Sequence, residues 1–327
     1  MNLLAIKLHL KSPLRIGEPG VGVEKVLSFT IHSDTLWASI IWSLNRLGKD
    51  PSPLIPPGND EQWSPPFRLS SAFPFLEGVL FFPKPMGPFP SVADYDLPPS
   101  KWKELKKATF IPQQSFEKWI NGLRLDENDI QELLLAWENL KEKVTDHLEP
   151  HVRVGHAAFA SQVYYIGFTT YLENAGLYFL AETEKEETFH ELLYPALSLL
   201  AEEGLGGARM RGFGLFKWEK EEISLNIPSN PDGWLLLSVL IPEEKILSEL
   251  KRTFYRLHYQ RGWSMSSTGE QALRKPIWMF SEGSIFPVKP EGRVVDVAPV
   301  GWQASHKVFR HGIALGIPFK GVEINGS

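Results

Sequence analysis

GLGGARMRGFG (Gly204–Gly214) joins a helical pattern to a strand pattern, and the elements on either side of it decide the fold. Before it, residues 186–203 have the apolar spacing of a helix, and after it residues 213–220 read as a strand. The eleven residues hold five glycines and two arginines. Because Gly204 alone would suffice to end the helix, the remaining glycines need a second explanation.

Two interpretations of this glycine loop remain open. Glycines allow close backbone approach, and exposed N–H groups in such loops bind anions. Arg209 and Arg211, two positions apart, can each bind a neighbouring phosphate. The loop is neither a Walker motif nor a dinucleotide-binding fingerprint, since it follows a helix and opens a strand. It is therefore either a phosphate-binding loop or a structural bend.

The elements further from the loop complete a recognisable order. LLAIKLHL (3–10) alternates as a half-buried strand, and HSDTLWASIIWSLNRLG (32–48) predicts a helix with Ser33 or Asp34 as N-cap. LSSAFPFLEGVLFFPKP (69–85) predicts a strand or a hairpin around Glu77-Gly78. Residues 126–144 predict an amphipathic helix, and SQVYYIGFTTYLENAGLYFLAE (161–182) predicts a hairpin that turns at residues 173–176.

This order is that of a βαββαβ, ferredoxin-like domain. We therefore expect an α+β protein made of two ferredoxin-like (RRM-like) domains. The first spans residues 1–228 and carries a large insertion at about 49–135. The second, degenerate domain spans residues 229–327 and begins at GWLLLSVLIP (233–242).

Composition excludes several classes of site. The chain has no cysteine, so disulfides, zinc–thiolate sites and cysteine nucleophiles are ruled out. A net charge of −5 argues against a generally basic nucleic-acid-binding surface but permits a local basic groove. No stretch of 18 apolar residues or secretory signal is present, so we expect a cytoplasmic protein.

The histidines give little support for catalysis or for a metal. They are scattered, with no metal-binding pair, so we expect no metal, no cofactor and no catalytic residue. HVRVGHAAF (151–159) brings Arg153 and His156 close in sequence. A histidine there could act as the general acid or base of a metal-free ribonuclease, or contact phosphate or base, or merely cap a loop.

A second basic stretch lies in the second domain. RTFYRLHYQRGWSMSSTGEQALRKPIW (252–278) interleaves arginines and a lysine with tyrosines and tryptophans. Such a pattern can hold single-stranded RNA through phosphate contacts and base stacking. An ordinary exposed pair of strands would look the same, so both interpretations stay open.

Taken together, several segments resemble one family. PLRIG (13–17), HSDTLWASIIWSL, HVRVGHAAF, GLYFLAE (176–182), the glycine loop, RKPIWMFSEGSIF (274–286) and HKVFRHGIALGIPF (306–319) occur in the order of the RAMP superfamily of CRISPR proteins. Ser-Asp-Thr-Leu and Glu-Gly-Ser narrow the resemblance to the fourth subunit of type III-A (Csm) effector complexes. Residues 49–135 match nothing specific in it.

The resemblance implies a function and partners. A member of this family is a non-catalytic subunit that binds the 5′ handle of the guide RNA in antiviral defence. It docks against the large polymerase-like subunit and the first backbone RAMP subunit. The alternative within the superfamily is a metal-independent endoribonuclease that processes guide RNA.

The resemblance also assigns candidate RNA-binding residues. At matching positions these are Arg15, Ser33, Arg153, His156, Gly206, Gly207, Arg209, Arg211 and Lys275. The family often has more basic residues in the segment before the hairpin than HVRVGHAAF provides. Contacts there are expected to be weaker, or shared with a partner subunit.

Overall fold

The structure is a computed structural model that describes residues 1–17, 26, 29–57, 63–90, 98–154, 161–265, 271–303 and 306–321. Its helices are α1 (Ser33–Arg46), α2 (Pro99–Lys107), α3 (Gln113–Ile120), α4 (Glu127–Lys143), α5 (Tyr194–Glu203) and α6 (Glu244–Ser248). The strands of the first domain are β1 (Asn2–Leu10), β2 (Arg68–Leu69), β3 (Phe73–Leu76), β4 (Val79–Pro83), β5 (Phe110–Pro112), β6 (Val144–Val154), β7 (Ser161–Tyr171), β8 (Ala175–Glu182) and β9 (Phe216–Ser224). Those of the second are β10 (Gly233–Leu236), β11 (Leu257–Gln260), β12 (Trp263–Met265), β13 (Gln271–Leu273), β14 (Ile277–Phe280), β15 (Ile285–Phe286), β16 (Gly292–Asp296), β17 (Phe309–Ile313) and β18 (Gly316–Phe319).

A seven-stranded antiparallel sheet forms the centre of the first domain. Its order is β5-β4-β3-β8-β1-β9, with β2 also paired to β8. The chain is thus an α+β protein with antiparallel sheets. Within this sheet β9-β1-β8-β3 lie side by side, α1 follows β1 and α5 precedes β9, which is compatible with the expected βαββαβ order.

The central sheet is covered on both faces. Ile6 and Leu8 of β1 pack in one cluster with α1 and α5. Leu3 and Ala5 face the other way, into a cluster with α3, α4 and strands of the second domain. Double coverage explains the nearly continuous apolar run in β8 and corrects the expectation that β1 is only half-buried.

The insertion is shorter than expected. Glu77 and Gly78, both with positive φ, form the two-residue turn of a β3–β4 hairpin, as the sequence suggested. Because β2 and β3 pair with β8, residues 68–83 belong to the central sheet rather than to an insertion from 49 to 135. The inserted elements therefore begin after β4.

The expected hairpin at residues 161–182 is wrong. β7 pairs along its whole length with β6, while β8 joins the central sheet beside β1. β6 and β7 form a separate two-stranded ribbon, whose Val152↔Val163 pair is exposed. The turn signals at 173–176 mark a change of sheet rather than a hairpin turn.

The second domain has small sheets in place of one large sheet. β10 pairs with β15 and β18, and the remaining strands pair as β11–β14, β12–β13 and β16–β17. In the described part of this domain the α-helical content is the five-residue α6. A full second βαββαβ unit is thus not seen among these residues.

A buried polar network joins the two domains at the start of α1. Arg310 Nη1 donates to Asp34 Oδ2 at 2.5 Å, and Gln260 donates to the same oxygen at 3.1 Å. His32 Nδ1 lies 2.8 Å from Glu282 Oε1. Since Asp34 is committed to Arg310, the expected N-cap is wrong: α1 begins after His32 without a side-chain cap.

Candidate nucleic-acid interface

The glycine loop projects two arginines from the first domain. Gly204 ends α5 with φ +89°, and the chain then makes a 3₁₀ turn over Arg209–Arg211. Ala208 and Gly212, on either side of this turn, both have left-handed backbones. Met210 at its tip is fully exposed. The loop therefore presents a short arginine-flanked tip to solvent.

The loop is held against the segment that follows β1. Gly207 N–H donates to Arg15 O and Gly214 N–H donates to Pro13 O, both at 2.8 Å. A Cβ on Gly206 would lie 2.6 Å from Arg15 O. These glycines thus allow two backbones to touch, and the Gly207 amide is used inside the protein rather than offered to an anion. The structural-bend interpretation explains the glycines, and the arginines remain for binding.

Replacing Gly214 by alanine should destabilise the protein strongly. Its φ is +76°, and a Cβ would lie 2.0 Å from Leu205 O. Strain and overlap together predict a loss of about 2–3 kcal/mol in the free energy of unfolding by urea. Gly212→Ala is the matched control: its φ is +78° with nothing within 4 Å of the added Cβ, so about 1 kcal/mol is expected. Equal losses in the two variants would refute the close-approach explanation.

A cleft of about 360 Å³ lies beside the loop. Its walls come from the segment after β1, the outward face of α1, the glycine loop and the second domain. The lining residues are Arg15, Ile16, Gly17, Thr35, Ala38, Ser39, Trp42, Gly204, Gly206, Gly207, Arg209, Arg274 and Arg310. Four of them are arginines, and none is an aspartate or a glutamate.

Arg209 is positioned by α1. Its guanidinium carbon lies 4.2 Å from the ring centroid of Trp42, a cation–π contact. Ser39 and Trp42, three residues apart, share the helix face opposite the buried stripe. The contact fixes the arginine at the cleft while its remaining donors can still reach an anion.

Arg211 is positioned by the β6–β7 ribbon. Its Nη2 donates to the Tyr164 hydroxyl at 3.3 Å, and its Nη1 lies 3.3 Å from His151 Nε2. The two ring centroids of His151 and Tyr164 are 5.6 Å apart. The arginine side chain remains exposed. The ribbon and the glycine loop therefore form one continuous polar surface.

Positively charged side chains lie close together in the cleft, and among the described residues those of the glycine loop have no carboxylate as an ion-pair partner. Burial, and then the charge of Arg211, lower the pKa of Arg15. Burial, and then Arg310, lower the pKa of Arg274 to about 10. Asp34 neutralises Arg310, but among the described residues no carboxylate forms an ion pair with Arg209 or Arg211. Such crowding of cations favours an anionic ligand.

The structure brings together about half of the expected RNA-binding residues. Arg15, Gly206, Gly207 and Arg209 line the cleft, and Arg211 lies beside it. Arg153 belongs to β6, two positions beyond His151 in the same strand. His156 lies outside the described residues.

Two expected contacts need correction. Ser33 is fully buried: its N–H donates to Ser71 Oγ and its Oγ accepts from Val239 N–H, so it joins the two domains and cannot reach RNA. Lys275 is exposed but does not line the cleft, whereas its neighbour Arg274 does. In this stretch the structure thus places Arg274, rather than the expected Lys275, at the cleft.

Sequence reasoning missed Trp42, Thr35 and Ser39 as lining residues. Their signal was present in the helical spacing, because positions 35, 39 and 42 complement the buried stripe of α1. In the part of the chain that the structure describes, no group of three or more histidines and carboxylates is arranged to hold a metal ion. No helix there combines the length and apolar composition needed to cross a membrane.

Comparison with known proteins agrees with the sequence motifs. Residues 229–319 match the family model of the CRISPR Csm4 C-terminal domain. The CRISPR system Cms protein Csm4 of Streptococcus thermophilus is 26% identical over 86% of this chain and 89% of its own length. That of Thermococcus onnurineus (strain NA1) is 28% identical over 79% of this chain and 80% of its own length. Over most of its length the chain is thus similar to Csm4 proteins. The RAMP resemblance is thereby confirmed.

Solved structures share the fold. The chain superposes with a TM-score of 0.63 and 19% identity on a chain of the Csm1–Csm4 cassette in complex with cA4, covering 98% of both chains. It superposes with a TM-score of 0.61 and 21% identity on a chain of the Csm3–Csm4 subcomplex of the type III-A CRISPR-Cas interference complex, covering 98% of this chain and all of the other. Nearly the whole chain therefore shares its fold with a chain of each of these complexes.

Proposed function

We propose that the protein is a non-catalytic subunit of a cytoplasmic type III-A CRISPR ribonucleoprotein, in which it binds the 5′ handle of the guide RNA. The observation that carries the proposal is the placement of Arg209 and Arg211. Arg209 lines an arginine-rich cleft and Arg211 lies beside it, and among the described residues neither has an acidic partner. Sugar–phosphate backbone is the ligand that such an arrangement suits.

The proposed mechanism is capture without reaction. Arg209, held on Trp42, and Arg211, held on the ribbon, bind successive phosphates of the handle. Arg15 and Arg274 attract the strand into the cleft. The glycines fix the loop against the segment after β1, so that the two guanidinium groups are positioned before RNA binds.

We also propose that the subunit bridges the large polymerase-like subunit to the backbone RAMP subunits. The supporting comparisons are the Csm1–Csm4 cassette and the Csm3–Csm4 subcomplex, each of which contains a chain with this fold. In this proposal the chain has two ferredoxin-like domains, at 1–228 and 229–327, of which the second is degenerate. A test is whether the purified chain binds single-stranded RNA of handle sequence more tightly than a scrambled RNA of equal length. Equal affinities would count against handle recognition.

Incubation with repeat RNA in EDTA should leave the RNA intact. The described residues that line the cleft include no histidine and no carboxylate, so no pair of groups is placed there for acid–base cleavage. Denaturing gel electrophoresis over several hours measures the outcome. Site-specific cutting by the wild type that His156→Ala abolishes would instead favour the alternative, a metal-independent endoribonuclease.

A further inference from the structure

A second, larger cavity lies between the inserted elements and the second domain. Its volume is about 1050 Å³, and it shares no described lining residue with the cleft beside the glycine loop. The basic and aromatic stretch of residues 252–278 supplies part of its wall. The proposed handle-binding mechanism does not use this cavity.

Aromatic side chains from both parts of the chain line this cavity. Trp102 and Phe89 come from the inserted part, with ring centroids 5.8 Å apart. Tyr255, Tyr259 and Trp278 come from the second domain. Trp278 is 58% exposed and Tyr255 is 43% exposed, so ring faces are open to a ligand. Aromatic faces at the mouth of a cavity suit stacking on nucleobases.

The cationic side chains that line the same cavity include Lys84 and Arg256. Lys84 Nζ donates to Leu105 O at 2.7 Å, which fixes the ammonium group. Burial, and then the charge of Arg256, lower the pKa of Lys84 to about 8. In the described part of the chain no acidic residue forms an ion pair with either cation, and Glu282 on the cavity wall already contacts His32. The arrangement fits an anion.

A histidine on the cavity wall has a ring nitrogen without a hydrogen-bond partner among the described residues. His258 lines the cavity, and its Nε2 is buried with no hydrogen-bond partner among the described residues. Burial, and then the charge of His32, lower the pKa of His258 to about 4, so its ring is neutral near pH 7. A neutral imidazole can donate to or accept from the edge of a base.

We propose that this cavity binds one unstacked nucleotide of a single-stranded RNA, with its base against Trp278 and Tyr255 and its phosphate at Lys84 and Arg256. The cavity is large enough, since ligand pockets of 300–1000 Å³ are common. Aromatic faces and an unpartnered imidazole suit the base of a nucleotide, and two cations without an ion-pair partner among the described residues suit its phosphate. The inference rests on the proposed function only in taking RNA as the source of the nucleotide.

The test uses the full chain and an eight-nucleotide oligoadenylate carrying one 2-aminopurine. Stacking on the protein should quench the probe. Trp278→Ala should weaken binding about tenfold, Trp278→Phe should retain most of it, and Arg256→Ala should weaken it severalfold. Trp263→Ala is the control, because Trp263 is 64% exposed in the same domain but does not line the cavity. It should change affinity less than twofold.

The outcomes separate the possibilities. Competition by AMP at millimolar concentration would show that the site accepts a free nucleotide, whereas its absence would show that the RNA chain must present the base. Unchanged RNA affinity in Trp278→Ala and Arg256→Ala overturns the proposal. It is also overturned if these variants no longer co-purify with partner subunits but still bind RNA as the wild type does. The double variant Arg209→Ala/Arg211→Ala distinguishes this cavity from the handle site. If RNA affinity falls only in that double variant, the handle proposal stands and the cavity proposal fails. If RNA affinity falls only in the cavity variants, the cavity proposal stands and the handle proposal fails.

Discussion

Arg209→Ala combined with Arg211→Ala should weaken binding of a handle-sequence RNA by about 10- to 100-fold at low salt. Each guanidinium is expected to neutralise one phosphate. The slope of log affinity against log salt should therefore become shallower by about one for each arginine removed. Fluorescence anisotropy across a salt series measures both quantities. The fold should be unaffected, because neither arginine forms an ion pair with a carboxylate among the described residues.

A control of equal charge change separates local contact from overall electrostatics. Lys217→Ala combined with Arg293→Ala removes two exposed cations that do not line the cleft. This variant should lose less than threefold in affinity, with a slope close to that of the wild type. If both double variants show the same loss, RNA responds to net charge alone. If neither shows a loss, the glycine loop is not the binding site.

Asp34→Ala should reduce the free energy of unfolding by about 3–5 kcal/mol. The Asp34 side chain is 1% exposed and that of Arg310 is 8% exposed. Removing the carboxylate leaves a buried guanidinium without its counter-ion and removes the acceptor that Gln260 uses. Urea denaturation measures the loss. Because this network joins the domains, we expect the second domain to unfold at lower urea than the first.

Two further variants keep this prediction testable. Glu138→Ala breaks an exposed pair with Lys141 in α4 and should cost less than about 1 kcal/mol. Asp34→Leu combined with Arg310→Met should recover part of the loss, since no buried charge remains unpaired. A similar loss for Asp34→Ala and Glu138→Ala would show that the interdomain pair adds nothing beyond a surface contact.

The contribution of Asp34 should depend on pH with a definite sign. Burial alone would raise its pKa, but the charges of Arg310 and then His32 outweigh burial, and the pKa is lowered. A carboxyl with a lowered folded-state pKa stabilises the protein above its unfolded pKa of about 3.9, and the contribution is lost as pH falls through the folded-state pKa. The stability difference between wild type and Asp34→Ala should therefore be full at pH 7 and shrink below about pH 4.

Local sequence patterns predicted the helices and strands better than they predicted which strands pair. The alternation of residues 3–10 and the apolar stripe of residues 32–48 correctly placed β1 and α1. The predicted pairing of β7 with β8 was wrong. No local sequence signal shows that β6 pairs with β7 while β8 pairs with β1. Strand pairing depends on long-range packing that a turn signal does not reveal.

For the candidate cleft, the sequence indicated segments of the chain rather than the individual lining residues. Arg15, Arg209 and the glycines were found from the loop and its family resemblance. Ser33 looked like an exposed cap because the second domain that buries it is more than 200 residues away in the chain. Arg274 and Lys275 are adjacent, and only the folded geometry decides which of them faces the cleft.

A structure of the assembled ribonucleoprotein with its guide tests the central claim most directly. We expect unbroken handle backbone in the cleft, with phosphate oxygens about 3 Å from the guanidinium groups of Arg209 and Arg211. The claim would be contradicted if these arginines paired with carboxylates of a partner subunit while the handle ran elsewhere.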